Sequence, residues 1–135
     1  MDLETSMRIA AAGMQAQSAR LRVTSENLAN AQSTALTPGG DPYRRKTVSF
    51  ANELDRATGA RLVGVRRYGT DPAAFERRFE PSHPAADATG YVLYPNVNPL
   101  IELMDMREAQ RSFEANLMAL QQARGMLQRT LDLLR

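Results

Sequence analysis

The sequence predicts a mainly α-helical fold: paired N- and C-terminal long helices, coiled-coil-like, with a small irregular β insert between them. Two observations carry most of that reading. Apolar residues repeat in sevens at both ends, as Met7, Met14, Leu21 and Leu28 and again as Met106, Phe113, Leu120, Leu127 and Leu134. Second series, Leu3, Ala10, Gln17, Thr24, Ala31 and Leu103, Gln110, Leu117, Arg124, Leu131, interlock with these at spacings of three and four, the a and d positions of a coiled-coil seam. The other observation is where residue types fall. All seven Pro lie between Pro38 and Pro99, all seven Met lie outside that span, and all four Tyr lie inside it. These shifts divide the chain into an N-terminal helical segment (1–34), an insert (35–98) and a C-terminal helical segment (99–135).

A chain of 135 residues is one domain, or one helical body with a small insert. The formal charge of +2 sits in the insert, since each helical segment balances its acids and bases. That field is too weak for a nucleic-acid footprint. With no Cys, thiol catalysis and Cys-ligated zinc are excluded. No run of 18 apolar residues is present to span a bilayer. The start, Met1-Asp2-Leu3-Glu4, is acidic where a cleavable signal peptide is basic, so the expectation is a protein that stays inside the cell or leaves by a route reading no such signal.

The first helix begins at Asp2 or Ser6, either able to cap exposed N–H groups. It carries a second seam, Ile9, Ala12, Ala16, Ala19 and Val23, and one partner helix cannot cover both, so intermolecular packing is expected. Ser25-Glu26-Asn27-Leu28-Ala29-Asn30-Ala31 follows, where Ser and Asn compete for backbone hydrogen bonds and predict a fraying end. Ser33 to Asp41 reads as a loop. Arg44-Arg45-Lys46 is a triple cation able to grip phosphate, but without aromatic interleaving it reads as a solvated strand or loop. Val48 and Phe50 alternate with polar residues as a half-buried strand does. Further short strands are expected over Leu62 to Tyr68, Phe75 to Phe79 and Gly90 to Tyr94. The only histidine, His83, lies between Pro81 and Pro84 and reads as a turn residue, with Asp87 the sole conceivable metal or base companion. Asn98 as cap and Pro99 at the first helical position then start the last helix. It has its own second stripe, Ala115, Met118, Met126 and Leu133, and the seam positions Gln110 and Arg124 are expected to fix register or to line a polar surface.

Phosphate-binding, dinucleotide, nucleophile-elbow and zinc-protease patterns are missing, and no catalytic constellation, cofactor site or small-molecule site is expected. Beside this stands a resemblance. Ser25 to Asn30, with Asn27 between, Pro42 to Lys46, Glu80 to Ala88, Gly90-Tyr91-Val92, Pro95-Asn96-Val97-Asn98, Met104-Asp105-Met106 and Arg111 to Asn116 together resemble the proximal rod proteins of the bacterial flagellar basal body, the FlgC type. The likeness runs in order through nearly the whole chain; Phe79 and Phe113 stand where that family often has Tyr, and Ser82 where it often has Gly. It implies a structural subunit of the rod crossing the periplasm, exported by the flagellar type III apparatus, whose terminal helices line the inner tube and whose partners are itself and other rod proteins. A soluble coiled-coil adaptor is the second reading, and an enzyme or nucleic-acid-binding module the third.

Overall fold

The computed structural model describes residues 2–135. Its elements, in order, are helix α1 (Leu3–Ala29), strands β1 (Lys46–Leu54), β2 (Arg61–Thr70), β3 (Glu76–Phe79) and β4 (Tyr91–Tyr94), and helix α2 (Pro99–Leu133). A long helix at each end with small β pieces between them is the class the sequence predicts. The start of α1 is capped by Asp2, whose Oδ1 accepts from Thr5 N at 2.7 Å. Its end differs from expectation: the helix continues through Ala29 rather than fraying from Ser25. Asn30 Nδ2 donates to Glu26 O at 2.9 Å and Ser33 Oγ to Asn30 Oδ1 at 3.0 Å, so side chains close the last turn from outside the helix.

Packing divides the chain into two compact units, each taking part of both helices. The first comprises the chain up to Leu21, Val48–Arg67 and Arg107–Arg135. Here the helices run antiparallel: Gly13 faces Asn116, while Arg20, later in α1, pairs with Glu108, earlier in α2, at 3.5 Å. Small residues occupy the deepest positions, Ala10 and Ala16 from α1 with Ala109 and Ala123 from α2. A Cβ added to Gly13 would lie 2.8 Å from Asn116 Oδ1, so the absence of a side chain leaves the space that the Asn116 amide occupies. β1 and β2 form a two-stranded sheet. Their turn is held by Asp55, which accepts from Thr58 Oγ1 at 2.8 Å and Ala57 N at 3.1 Å, and Gly59 takes φ +70°.

The second unit comprises Arg22–Thr47 and Tyr68–Met106. β3 and β4 pair antiparallel, with Glu76 opposite Tyr94 and Phe79 opposite Tyr91. A small core forms on them from Ala85, Val92 and Tyr94, against Ala35 and Ala86. Asp87 organises the turn before β4, accepting from Thr89 Oγ1 at 2.6 Å, Thr89 N at 2.9 Å and Tyr91 N at 3.1 Å. These contacts, the Thr89 hydroxyl foremost, hold its carboxyl below the usual range. Gly90 has φ +85°, and a Cβ there would meet Phe79 at 2.9 Å. His83 serves the same turn, its Nδ1 accepting from Ala85 N at 3.0 Å.

Candidate assembly surfaces and the Asn27 node

The most completely bonded polar side chain is Asn27, fully buried in the second unit. Its Oδ1 accepts from Tyr43 OH and from Lys46 N, both at 2.8 Å. Its Nδ2 donates to Lys46 O at 2.9 Å and to Glu102 Oε2 at 3.4 Å. All four hydrogen-bonding sites of the amide are therefore used, which is what burial of an Asn requires. Glu102, also fully buried, accepts from Arg45 Nε on its other oxygen. Arg45 reaches Asp71 at 3.6 Å and Asp105 at 3.8 Å as well. Burial pulls the Arg45 guanidinium down, but the Glu102 hydrogen bond and the three surrounding carboxylates outweigh it and hold the group above its ordinary value. Burial likewise pushes the Tyr43 hydroxyl up.

A second knot lies beside it. Asn96 Oδ1 accepts from Arg45 N at 2.8 Å, and its Nδ2 donates to Asp71 O and Ala73 O at 3.1 and 3.2 Å. Arg44 Nη1 donates to the same two carbonyls, with its guanidinium 4.1 Å above the Phe75 ring. Of the triple cation, then, Arg44 and Arg45 are consumed by the fold, and Lys46 pairs with Glu26 at 3.0 Å. Asn98 accepts from Leu100 N at 3.1 Å, capping α2 with Pro99 at its first position. Pro95 is buried, Ser25 exposed, and Asn116 donates to Ser112 O at 2.9 Å. Asn27 and Asn96 thus meet through Lys46 and Arg45, while Asn30, Asn98 and Asn116 each serve a helix locally. Sequence reasoning read Tyr43 and Arg45 only as part of a solvated basic stretch within a family motif, and missed Glu102 and Gly13; a Gly mid-helix and a Glu within an apolar first turn were the available signals.

The apolar series lie as follows. Met7, Met14, Leu21 and Leu28 are half-buried beside the small residues, and Ala16 and Val23 are buried. Met106, Phe113, Leu117 and Leu120 are half-buried too. Ile9, Leu127, Leu131 and Leu134 are exposed, Leu131 by 50% and Leu134 by 79%. Gln110 and Arg124 are exposed, which corrects their placement inside a seam and leaves them on a polar surface: the innermost α2 positions are one residue earlier, at Glu102, Ala109 and Ala123. Small side chains win the centre because they allow close backbone approach, and a longer one is displaced to the flank. In the first unit Ala11, Met14, Gln15, Ser18, Phe113 and Leu120 line an open groove of about 330 Å³. Among the described residues no cluster of three His, Cys, Asp or Glu is placed to hold a metal.

The sequence itself is similar to known proteins. Residues 7–35 match the family model described as flagella basal body rod protein, and residues 88–133 match the flagellar basal body rod FlgEFG protein C-terminal model. The flagellar basal-body rod protein FlgC of Agrobacterium fabrum is 51% identical over 133 residues, covering 98% of this chain and 96% of that protein. The chain belongs to the FlgC family of flagellar basal-body rod proteins. The Salmonella typhimurium FlgC is 39% identical over 93% of this chain and 92% of its own length, and that of Borreliella burgdorferi 32% over 99% of each. Both family models fall on the helix-bearing ends of the chain, so in this FlgC-family member the matched segments include Asn27, Asn96 and Asn98 together with the uncovered leucines of α2.

Proposed function

We propose that this FlgC-family chain works as a passive, load-bearing subunit, packing through its helix faces against copies of itself and other rod proteins. Membership in the family makes it a structural component of the flagellar basal-body rod. The observation that carries the packing mechanism is the apolar surface left open along α2: Met118 is 67% exposed, Met126 47%, and Leu131, Leu133 and Leu134 half or more. Fully burying an exposed side chain of this kind is worth about 1.5–3 kcal/mol, and a half-covered one such as Met126 or Leu131 roughly half that, so several per contact hold neighbours together. Contacts between different patches are heterologous and build open helical arrays rather than closed dimers. Torque then passes from helix to helix, and the array forms part of the wall of the export channel.

The role is non-enzymatic, without cofactor, nucleic acid or small-molecule substrate, and the flagellar type III apparatus delivers the chain to its place. Supporting this is the use to which the polar residues are put: Asn27, Glu102, Arg45 and Asn96 are spent on bonds with one another that hold the fold. Leu131→Asp is the test of packing. The residue is 50% exposed, so helix content of the purified variant should be unchanged while incorporation into basal bodies and swimming are lost; normal incorporation refutes the proposal. Leu120→Asp is a less selective probe because Leu120 also lines the groove against α1. Export is tested by following the chain outside the cytoplasm in cells with a disabled type III apparatus, where continued export counts against that route.

A further inference from the structure

The register of the helix pair in the first unit leaves part of α2 alone. Each step along α1 is matched by a step back along α2, from Gly13 opposite Asn116 to Arg20 beside Glu108. Continued toward the start of α1, this register sets Leu3 level with about Met126. Beyond that level α2 projects through Leu133, on the order of 10 Å at 1.5 Å per residue. Every residue from Met126 to Arg135 is exposed. Leu127, Leu131 and Leu134 fall on one side of this projection at spacings of four and three, and they continue the line of Phe113 and Leu120. Over Phe113 and Leu120 that line borders the groove with Ala11, Met14, Gln15 and Ser18 of α1. The same stripe is therefore part of a concave site in its middle and a bare ridge at its end.

We propose that the projecting turns of α2 seat in this groove on a second copy of the chain, with Leu127 and Leu131 entering between Met14 and Phe113. The assignment rests on the reading of the protein as a packed rod subunit and names the partner of the exposed ridge. Ridge and groove match in chemistry. The groove wall carries no charge, only Gln15 and Ser18 among apolar side chains, so the leucines enter without stranding an ion. The charged groups on the projection are Arg129, Asp132 and Arg135, an excess of arginine, and Glu114 stands exposed next to Phe113 to receive one of them. Neighbouring copies joined this way are staggered by about 14 residues of helix, roughly 20 Å. Because ridge and groove are different surfaces, the contact repeats without closing.

The absence of cysteine gives a clean background for a cross-linking test. A chain carrying Ala11→Cys and Leu131→Cys, level with each other at this stagger, should as the only copy in the cell give disulfide-linked pairs of itself in oxidised basal bodies. Neither single variant should do so, nor should Ala11→Cys with Gln122→Cys, which puts the thiol on the opposite side of α2. A variant present in basal bodies but giving no self-adduct, or adducts as abundant from Leu131→Cys alone, overturns the contact. Sedimentation of the purified chain reads the same surface without assembly: Leu131→Asp should weaken self-association at least tenfold, and unchanged self-association overturns the proposal. If Leu131→Asp is excluded from basal bodies while self-association is unchanged, the ridge serves a different rod protein and only the packing role survives. Normal incorporation of Leu131→Asp sinks the packing role itself.

Discussion

Replacing Asn27 by Asp changes one atom's chemistry at constant shape, which makes it the sharpest probe of the polar node. One carboxylate oxygen can keep the bonds from Tyr43 OH and Lys46 N, at 2.8 Å each. The other replaces an N–H₂ group and faces Lys46 O at 2.9 Å and Glu102 Oε2 at 3.4 Å, so three oxygens meet with no proton among them. Two unit charges 3.4 Å apart repel by about 5 kcal/mol at an effective dielectric of 20. The site can escape by binding a proton, at a cost at pH 7 of about 4 kcal/mol for a group whose unfolded pKa is near 3.9. The cheaper route sets the loss, so Asn27→Asp should cost about 3–4 kcal/mol at pH 7. A carboxyl whose folded pKa is raised destabilises most at high pH, and the penalty fades as pH falls toward the unfolded value. At pH 5 the cost should drop to about 1.5 kcal/mol. Urea unfolding followed by far-ultraviolet circular dichroism at the two pH values measures both quantities. Asn27→Ala, which also loses the node's hydrogen bonds but adds no charge, should show a loss independent of pH. A deficit below about 1 kcal/mol at pH 7, or one equal at both pH values for Asn27→Asp, would refute the idea that Asn27 is held as a donor against Glu102.

Three further outcomes follow from the geometry. Gly13→Ala gains up to about 1 kcal/mol of helix propensity but drives a methyl within 2.9 Å of the Asn116 amide, and overpacking costs about 1–3 kcal/mol, so the variant should melt lower and be relieved by adding Asn116→Ala; a higher melting temperature for the single variant contradicts the close approach. Asn98→Ala removes the cap on Leu100 N and should cost about 1 kcal/mol, read as a lowered urea midpoint at unchanged slope. Asp87 has a folded pKa below its unfolded value, so its contribution is present above the ordinary carboxylate range and disappears as pH falls through the folded pKa. Melting temperatures from pH 6 down to pH 3 should therefore fall less steeply for Asp87→Asn than for the parent, and parallel curves would remove Asp87 from the account.

Local signals were sufficient for the architecture. Asn98-Pro99 marked the start of α2, Asp2 or Ser6 the start of α1, alternation at Val48 and Phe50 the first strand, and short runs around Leu62, Phe75 and Tyr91 the other three, because caps and pleats depend on neighbours a few residues away. The ordered set of motifs around Asn27, Asn96 and Asn98 carried the family resemblance, although nothing local said what those amides would bind. The partners of Asn27, Tyr43, Lys46 and Glu102, lie 16, 19 and 75 positions away in the chain. Only folding brings them to one place. Spacings of three and four also leave adjacent stripes on one helix, and periodicity cannot choose among them. The choice fell to distance between backbones: Gly13, Ala10, Ala16, Ala109 and Ala123 admit a close partner, so Met14 and Phe113 were turned to the groove, and Gln110 and Arg124 to water. Sequence by itself determined which residues form helices and strands. Tertiary structure decided which side of each helix is spent inside the chain, and therefore which apolar surface remains for a neighbour.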